Sequence, residues 1–227
     1  MTSEERRRIF LMRHGEVAYF GRGGHPFEPE AVSLTREGEE QAGAARDALA
    51  SVSFDRVITS GLRRTLETAR IVSPGAEPEA WPDLRELEGG RLGDIPDDEL
   101  EEAFVGAFRG VVPEKTRFLR GETIGSLLDR VVPALERLLA DDGWDTALLV
   151  LHGAVNRTIL SWALTGQRTF LGNLEQAPGC INVLDVGPGW VVRAVNLAPY
   201  DLVHAGGRST TMERYLEQYR PYRKESR

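Results

Sequence analysis

With 227 residues, 41% of them hydrophobic, the chain is long enough to bury one large core or two small ones, which excludes general disorder. Its 28 basic residues are outnumbered by 35 acidic ones, and a net charge of −7 gives no general attraction to nucleic acid or to an anionic membrane. The lone cysteine, Cys180, excludes an internal disulfide, and four histidines leave no room for a Cys/His zinc framework, so a reducing compartment is expected.

The stretch from Met1 to Arg8 is polar, and the apolar run behind it, Ile9 to Met12, is too short for a signal peptide. Elsewhere no apolar run approaches the roughly 18 residues of a membrane span, so a cytoplasmic protein is expected. Ile9-Phe10-Leu11-Met12 suits a strand buried on both faces. From Gly21 to Pro29 the chain is rich in Gly and Pro and reads as a long loop. Thr35 is placed to cap a helix from about Arg36 to Ala50, with Ala42, Ala45 and Leu49 at helical spacing.

Arg56 to Thr59 reads as a second strand, and Ser60 as the N-cap of a helix from about Leu62 to Val72. Pro74 to Pro96 is too rich in Pro and Gly for regular structure beyond a short strand near Glu79 to Trp81 and an extended Leu84 to Glu88. A helical patch is expected from about Pro96 to Phe108. Ile124, Leu127, Leu128, Val131, Val132, Leu135, Leu138 and Leu139 then mark the clearest helix, with Pro133 expected to kink it.

Thr146 to Leu151 is the third core strand, and Val155 to Leu164 the helix behind it. Ile181 to Val186 and Trp190 to Val195 make a hairpin around Gly187-Pro188-Gly189, and a polar helix from about Thr210 to Tyr219 ends the pattern. Alternating strands and helices point to one α/β domain over residues 1–227, a mostly parallel central sheet with helices on both faces.

In open α/β sheets the ligand lies beyond the carboxyl ends of the strands. Arg13-His14-Gly15-Glu16 follows the first strand here, Ser60-Gly61-Leu62-Arg63 the second and His152-Gly153 the third. Two histidines and two arginines thus gather on one rim, a pocket suited to a dianion such as phosphate. Glycine after each histidine lets the backbone turn sharply. Imidazole can attack phosphorus while guanidinium groups bind the equatorial oxygens, and Glu86 is the candidate acid for the leaving alcohol. Taken singly, each arginine reads as a solvated or ion-paired residue and His14 as a satisfied strand-end histidine. As a set they read as a phosphoryl site.

These residues carry a resemblance. Leu11-Met12-Arg13-His14-Gly15-Glu16 resembles the defining motif of the histidine phosphatase superfamily, the phosphoglycerate mutase-like enzymes. Ser33-Leu34-Thr35, Ser60-Gly61-Leu62-Arg63-Arg64-Thr65, Leu84-Arg85-Glu86-Leu87, Gly121-Glu122-Thr123 and His152-Gly153-Ala154-Val155 with Arg157 follow in the family's order. The resemblance implies a three-layer α/β/α sandwich and transient phosphorylation of His14. It further implies that Arg13, Arg63, His152 and Gly153 hold the phosphoryl group, that Glu86 moves the proton, and that no metal or other cofactor takes part.

The chain departs from the family where a Thr and an Asn usually follow Arg-His-Gly, since Val17-Ala18-Tyr19-Phe20 stands there. Arg22 and His25 are candidates to replace those donors. Glu122 suits a structural or substrate-edge role, and Arg64 a surface charge, because neighbours on a helix do not share a face. Tyr215, Tyr219 and Tyr222 suit either a helix packed on the body or a homodimer contact. The expected reaction is hydrolysis of a small phosphate ester, with phosphoglycerate mutase and an inactive phospho-ligand binder as alternatives. Only about 30 residues separate Glu88 from Gly121, a shorter cover than the resemblance implies for a mutase.

Overall fold

Alternation of side chains along three short strands sets the layers. In the computed structural model, which describes residues 6–225, β1 (Arg7–Arg13), β2 (Arg56–Thr59) and β4 (Thr146–Leu151) are almost wholly buried. Residues 1–5 of the polar leader lie outside the described residues. Ile9, Leu11, Ile58, Ala147, Leu149 and Leu151 face one side and pack with α4 (Ile124–Ala140) and α5 (Gly153–Thr165). Phe10, Met12, Val57, Leu148 and Val150 face the other and pack with α1 (Arg36–Ala48) and α2 (Arg63–Val72). Each Leu or Ile so buried contributes about 1.5–3 kcal/mol, which fixes the register of every strand.

Six strands run in the order β3-β2-β4-β1-β5-β6, with β3 (Glu79–Ala80), β5 (Ile181–Val186) and β6 (Trp190–Leu197) completing the sheet. The β2–β3, β2–β4 and β1–β4 pairs are parallel, whereas β1–β5 and β5–β6 are antiparallel, so the sheet is mixed. The expected hairpin is that antiparallel end. Because β2, β4 and β1 are adjacent and parallel, their carboxyl ends bring Ser60, His152 and His14 to one rim.

Thr35 caps α1 as expected, its hydroxyl accepting from the Gly38 N–H. Ser60 is not the N-cap of α2: that position falls to Leu62, and the Ser60 hydroxyl turns toward His152. Helix α4 continues through Pro133 as one helix. The helical patch resolves into α3 (Leu100–Val105) between two 3₁₀ turns. The last helix, α6 (Thr211–Glu225), is longer than expected, and its Tyr215 and Tyr219 pack on the body with Ile95, Leu100, Phe104, Tyr19 and Phe20. No helix among the described residues is long and apolar enough to cross a membrane.

Candidate active site

His14 leaves the end of β1 almost completely buried. Its Nδ1 lies 2.7 Å from the Gly15 carbonyl oxygen, an arrangement in which Nδ1–H donates and the Nε2 lone pair stays available. Gly15 has no positive φ; it is glycine for room, because a Cβ there would collide with the Gly38 carbonyl oxygen of α1. The His152 ring stands edge-on to that of His14, with centroids 5.3 Å apart, and its Nε2 is 2.8 Å from the Ser60 hydroxyl. Burial first, then Arg64 and other neighbouring cations, holds both imidazoles well below their ordinary range, so both are neutral at physiological pH.

Arg13 is buried beneath them. Its Nη1 donates to the Gln176 carbonyl oxygen at 2.6 Å and to Thr211 Oγ1 at 3.2 Å, and its Nη2 lies 3.5 Å from the Tyr215 hydroxyl. Desolvation opposes its charge, but Tyr215, Glu16, Tyr19 and Glu175 outweigh that penalty and keep it a cation. Thr211 in turn donates to Glu175, whose other carboxylate oxygen takes a hydrogen bond from the buried Arg157 at 2.9 Å. Glu175 therefore ties two arginines to the first turn of α6.

The arginine of α2 that joins this group is Arg64, not Arg63. Arg63 points to solvent and pairs with Glu67 one turn on, at 2.8 Å. Arg64 is 2% exposed, donates from Nη1 to the Pro29 carbonyl oxygen at 2.7 Å and stacks over Tyr19 at 5.8 Å. Within this helix Arg64 shares a face with the buried Thr68 and Val72, at the i+4 and i+8 positions. That stripe was the available sequence signal, and it corrects both the expected role of Arg63 and the expected surface position of Arg64.

Glu86 approaches from the irregular segment behind β3. Its Oε1 accepts from the Leu87 N–H at 2.9 Å and from the Ala154 N–H, in the first turn of α5, at 3.2 Å. Gly153 sits at this corner: a Cβ there would stand 3.2 Å from Arg157 Nη1, 3.7 Å from Glu86 Oε2 and 3.8 Å from Arg13 Nε. The carboxylate, Arg13 and the start of α5 are thus immediate neighbours.

Arg22 and His25 are exposed, and the His25 ring packs 5.4 Å from Tyr222. Glu122 accepts twice from Arg130, both bonds at 2.9 Å, which is the structural side of its expected role. Cys180 is buried and its thiol is pushed up to about 12 by burial, so it is inert. Thr211 and Tyr215 were missed; they lie some 200 residues from Arg13, and no local pattern marks such a contact.

Among the described residues, the buried side-chain polar atoms without a hydrogen-bond partner are Arg13 Nε, Arg64 Nε and His152 Nδ1. All three belong to this one cluster. Buried polar atoms are almost always satisfied, so three unsatisfied together, two of them guanidinium donors, make a cluster suited to an anion.

Comparison with known proteins identifies the family. Residues 9–197 match the model of the histidine phosphatase superfamily (branch 1). The chain is 29% identical over 191 residues to a probable 2-carboxy-D-arabinitol-1-phosphatase of Arabidopsis thaliana, an alignment covering 82% of this chain but only 39% of that protein's length. It is 32% identical over 160 residues to a probable phosphoglycerate mutase GpmB of Salmonella paratyphi A, covering 69% of this chain and 74% of that one. The structure of a putative alpha-ribazole-5'-P phosphatase from Escherichia coli superposes with a TM-score of 0.63 at 25% identity, covering 84% of this chain and 96% of that one. On the strength of a match that runs from β1 to β6, the chain belongs to the histidine phosphatase superfamily.

Proposed function

We propose that the protein is a metal-independent phosphomonoesterase that works through a phosphohistidine on His14. The observation that carries this reading is the trio of buried polar atoms without a partner, Arg13 Nε, Arg64 Nε and His152 Nδ1, beside the neutral imidazole of His14. Phosphatase relatives support it.

His14 Nε2 attacks phosphorus as the bond from phosphorus to the ester oxygen breaks, and Glu86 delivers a proton to the departing alcohol. Arg13, Arg64 and His152 hold the equatorial oxygens while charge is redistributed, the electrostatic work that a metal does in other phosphoryl-transfer sites. Glu86, now a carboxylate, takes a proton from water, which attacks the phosphohistidine, releases inorganic phosphate and restores the free imidazole. For Glu86, the Ala154 and Leu87 N–H groups steady the anionic form between the two steps.

The test is release of nitrophenol from p-nitrophenyl phosphate by the native protein and by His14→Ala, across acidic to mildly alkaline pH and without added metal. Hydrolysis lost in the variant supports the reading; equal hydrolysis by both overturns it. A mutase uses the same phosphoenzyme but returns the phosphoryl group to a second hydroxyl, and the GpmB relative keeps that reading open. Faster interconversion of phosphoglycerates than ester hydrolysis would establish it, and a phosphate ester bound unchanged would establish a binding protein.

A further inference from the structure

We infer that Arg130 is the positioning residue for the Glu86 carboxylate, an inference that rests on Glu86 being the proton donor. Glu86 lies between 3₁₀ turns at Pro82–Leu84 and Leu92–Asp94, in backbone that belongs to no helix or sheet. Such a segment needs partners for its carbonyls from elsewhere, and its ordering has an entropic cost. Arg130, projecting from the second turn of α4, supplies those partners.

Its Nη1 donates to the Asp83 and Arg85 carbonyl oxygens at 2.9 and 2.6 Å, and its Nη2 to the Glu86 carbonyl oxygen at 3.2 Å. Nε and Nη2 then donate to the two carboxylate oxygens of Glu122, both at 2.9 Å. A guanidinium has five N–H donors in a rigid fork, and five acceptors surround this one. The fork is therefore committed to the frame around Glu86.

Glu122 extends the clamp past the acid. Its Oε2 also accepts from the Glu88 N–H at 3.0 Å, and its own N–H donates to the Glu88 carbonyl oxygen at 2.8 Å. Gly121 permits this crossing, because a Cβ there would run into the backbone of Glu88, Gly89 and Gly90. Backbone on both sides of Glu86 is thus tied to one end of α4. From the opposite side the carboxylate itself meets Leu87 and Ala154 N–H groups. Because those groups grip only the side-chain tip, the direction from which the carboxylate arrives is set by the backbone that Arg130 holds.

The test compares kcat/KM on p-nitrophenyl phosphate, whose leaving group departs as a stable anion, with kcat/KM on glycerol phosphate, whose alkoxide needs the proton. The ratio of the two rates does not depend on how much of a variant is folded. General acid catalysis contributes about 10²–10⁴-fold, so Arg130→Lys is expected to depress glycerol phosphate turnover at least about tenfold more than nitrophenyl phosphate turnover. Lysine keeps the charge but is a compact ammonium that cannot span the five acceptors, so charge alone does not rescue. Glu122→Gln, a milder change, shifts the ratio in the same direction and serves should Arg130→Lys fail to fold.

An unchanged ratio in both variants overturns the inference. Glu86→Gln, measured alongside, separates the two levels: if it also leaves the ratio unchanged, the assignment of Glu86 fails. If it shifts the ratio and the Arg130 and Glu122 variants do not, the positioning role alone is wrong.

Discussion

Arg63 and Arg64 are adjacent in sequence and opposite in consequence, which makes their paired replacement by methionine a sharp perturbation. Methionine keeps much of the side-chain length and removes the charge. Arg64 is buried, commits Nη1 to Pro29 and leaves Nε without a partner. Charge-assisted hydrogen bonds contribute about 1.5–3 kcal/mol each, so losing two of them to the phosphoryl group raises the barrier by about 3–6 kcal/mol. At about 1.4 kcal/mol per decade, kcat/KM falls about 10²–10⁴-fold in Arg64→Met. Arg63 is largely exposed and its ion pair with Glu67 contributes about 0.3–0.5 kcal/mol, so Arg63→Met keeps kcat/KM within about twofold. The assay is kcat/KM on p-nitrophenyl phosphate for both variants, with the melting shift induced by inorganic phosphate as a binding readout. In the free protein Arg64→Met is expected to melt no lower than native, because it removes a cation beside two buried imidazoles. A tenfold loss in Arg63→Met with Arg64→Met near native would refute this account of the pocket.

Three other outcomes follow from the same geometry. Gly15→Ala drives a methyl into the Gly38 carbonyl; overpacking of this kind costs about 1–3 kcal/mol, visible as a lower denaturation midpoint, and an unchanged midpoint would contradict the close approach. His14 and His152 are held well below 6.5 in the folded chain but titrate near 6.5 when unfolded, so below that pH the unfolded chain binds protons that the folded one refuses. Stability therefore falls with falling pH, with a limiting slope of about 1.4 kcal/mol per pH unit for each histidine, and His152→Asn should remove about half of it in denaturation curves between neutral pH and about pH 5. Activity should survive EDTA and gain nothing from added Mg²⁺, since arginines and histidines supply the charge; loss on chelation with recovery on metal addition would count against the site.

The sheet was legible because its physics is local. Continuous apolar runs at Ile9–Met12 and Thr146–Leu151 mark strands covered on both faces, and polar residues immediately after them mark the rim, so His14 and His152 stand out without any tertiary information. Ser60 followed from the same logic, although its hydroxyl meets His152 as well as the Leu62 N–H at the start of α2. The Arg63 expectation failed over one residue of helix phase. Adjacent helical side chains point about a hundred degrees apart, so assigning Arg63 to the pocket turned Arg64 away from it, and only the spacing of Arg64 from Thr68 and Val72 marks which of the two faces inward. Thr211, Tyr215 and Arg130 were invisible for another reason. Each acts on backbone or side chains distant in sequence, and ordinary helical positions, exposed or buried, give no sign of which remote carbonyl a guanidinium or hydroxyl will meet. Where Val17 to Phe20 replaces the family's usual donors, the structure puts Tyr19 between Arg64 and Tyr215 instead.

The most direct test of the central claim is to trap the phosphoenzyme. Native protein is mixed briefly with p-nitrophenyl phosphate, quenched in base to preserve phosphoramidates, and digested for mass spectrometry. The account predicts one phosphoryl group on the peptide that carries His14, lost on acid treatment and absent from His14→Ala. A phosphoryl group on any other residue, or turnover with no nitrophenol burst and no label on His14, would contradict it.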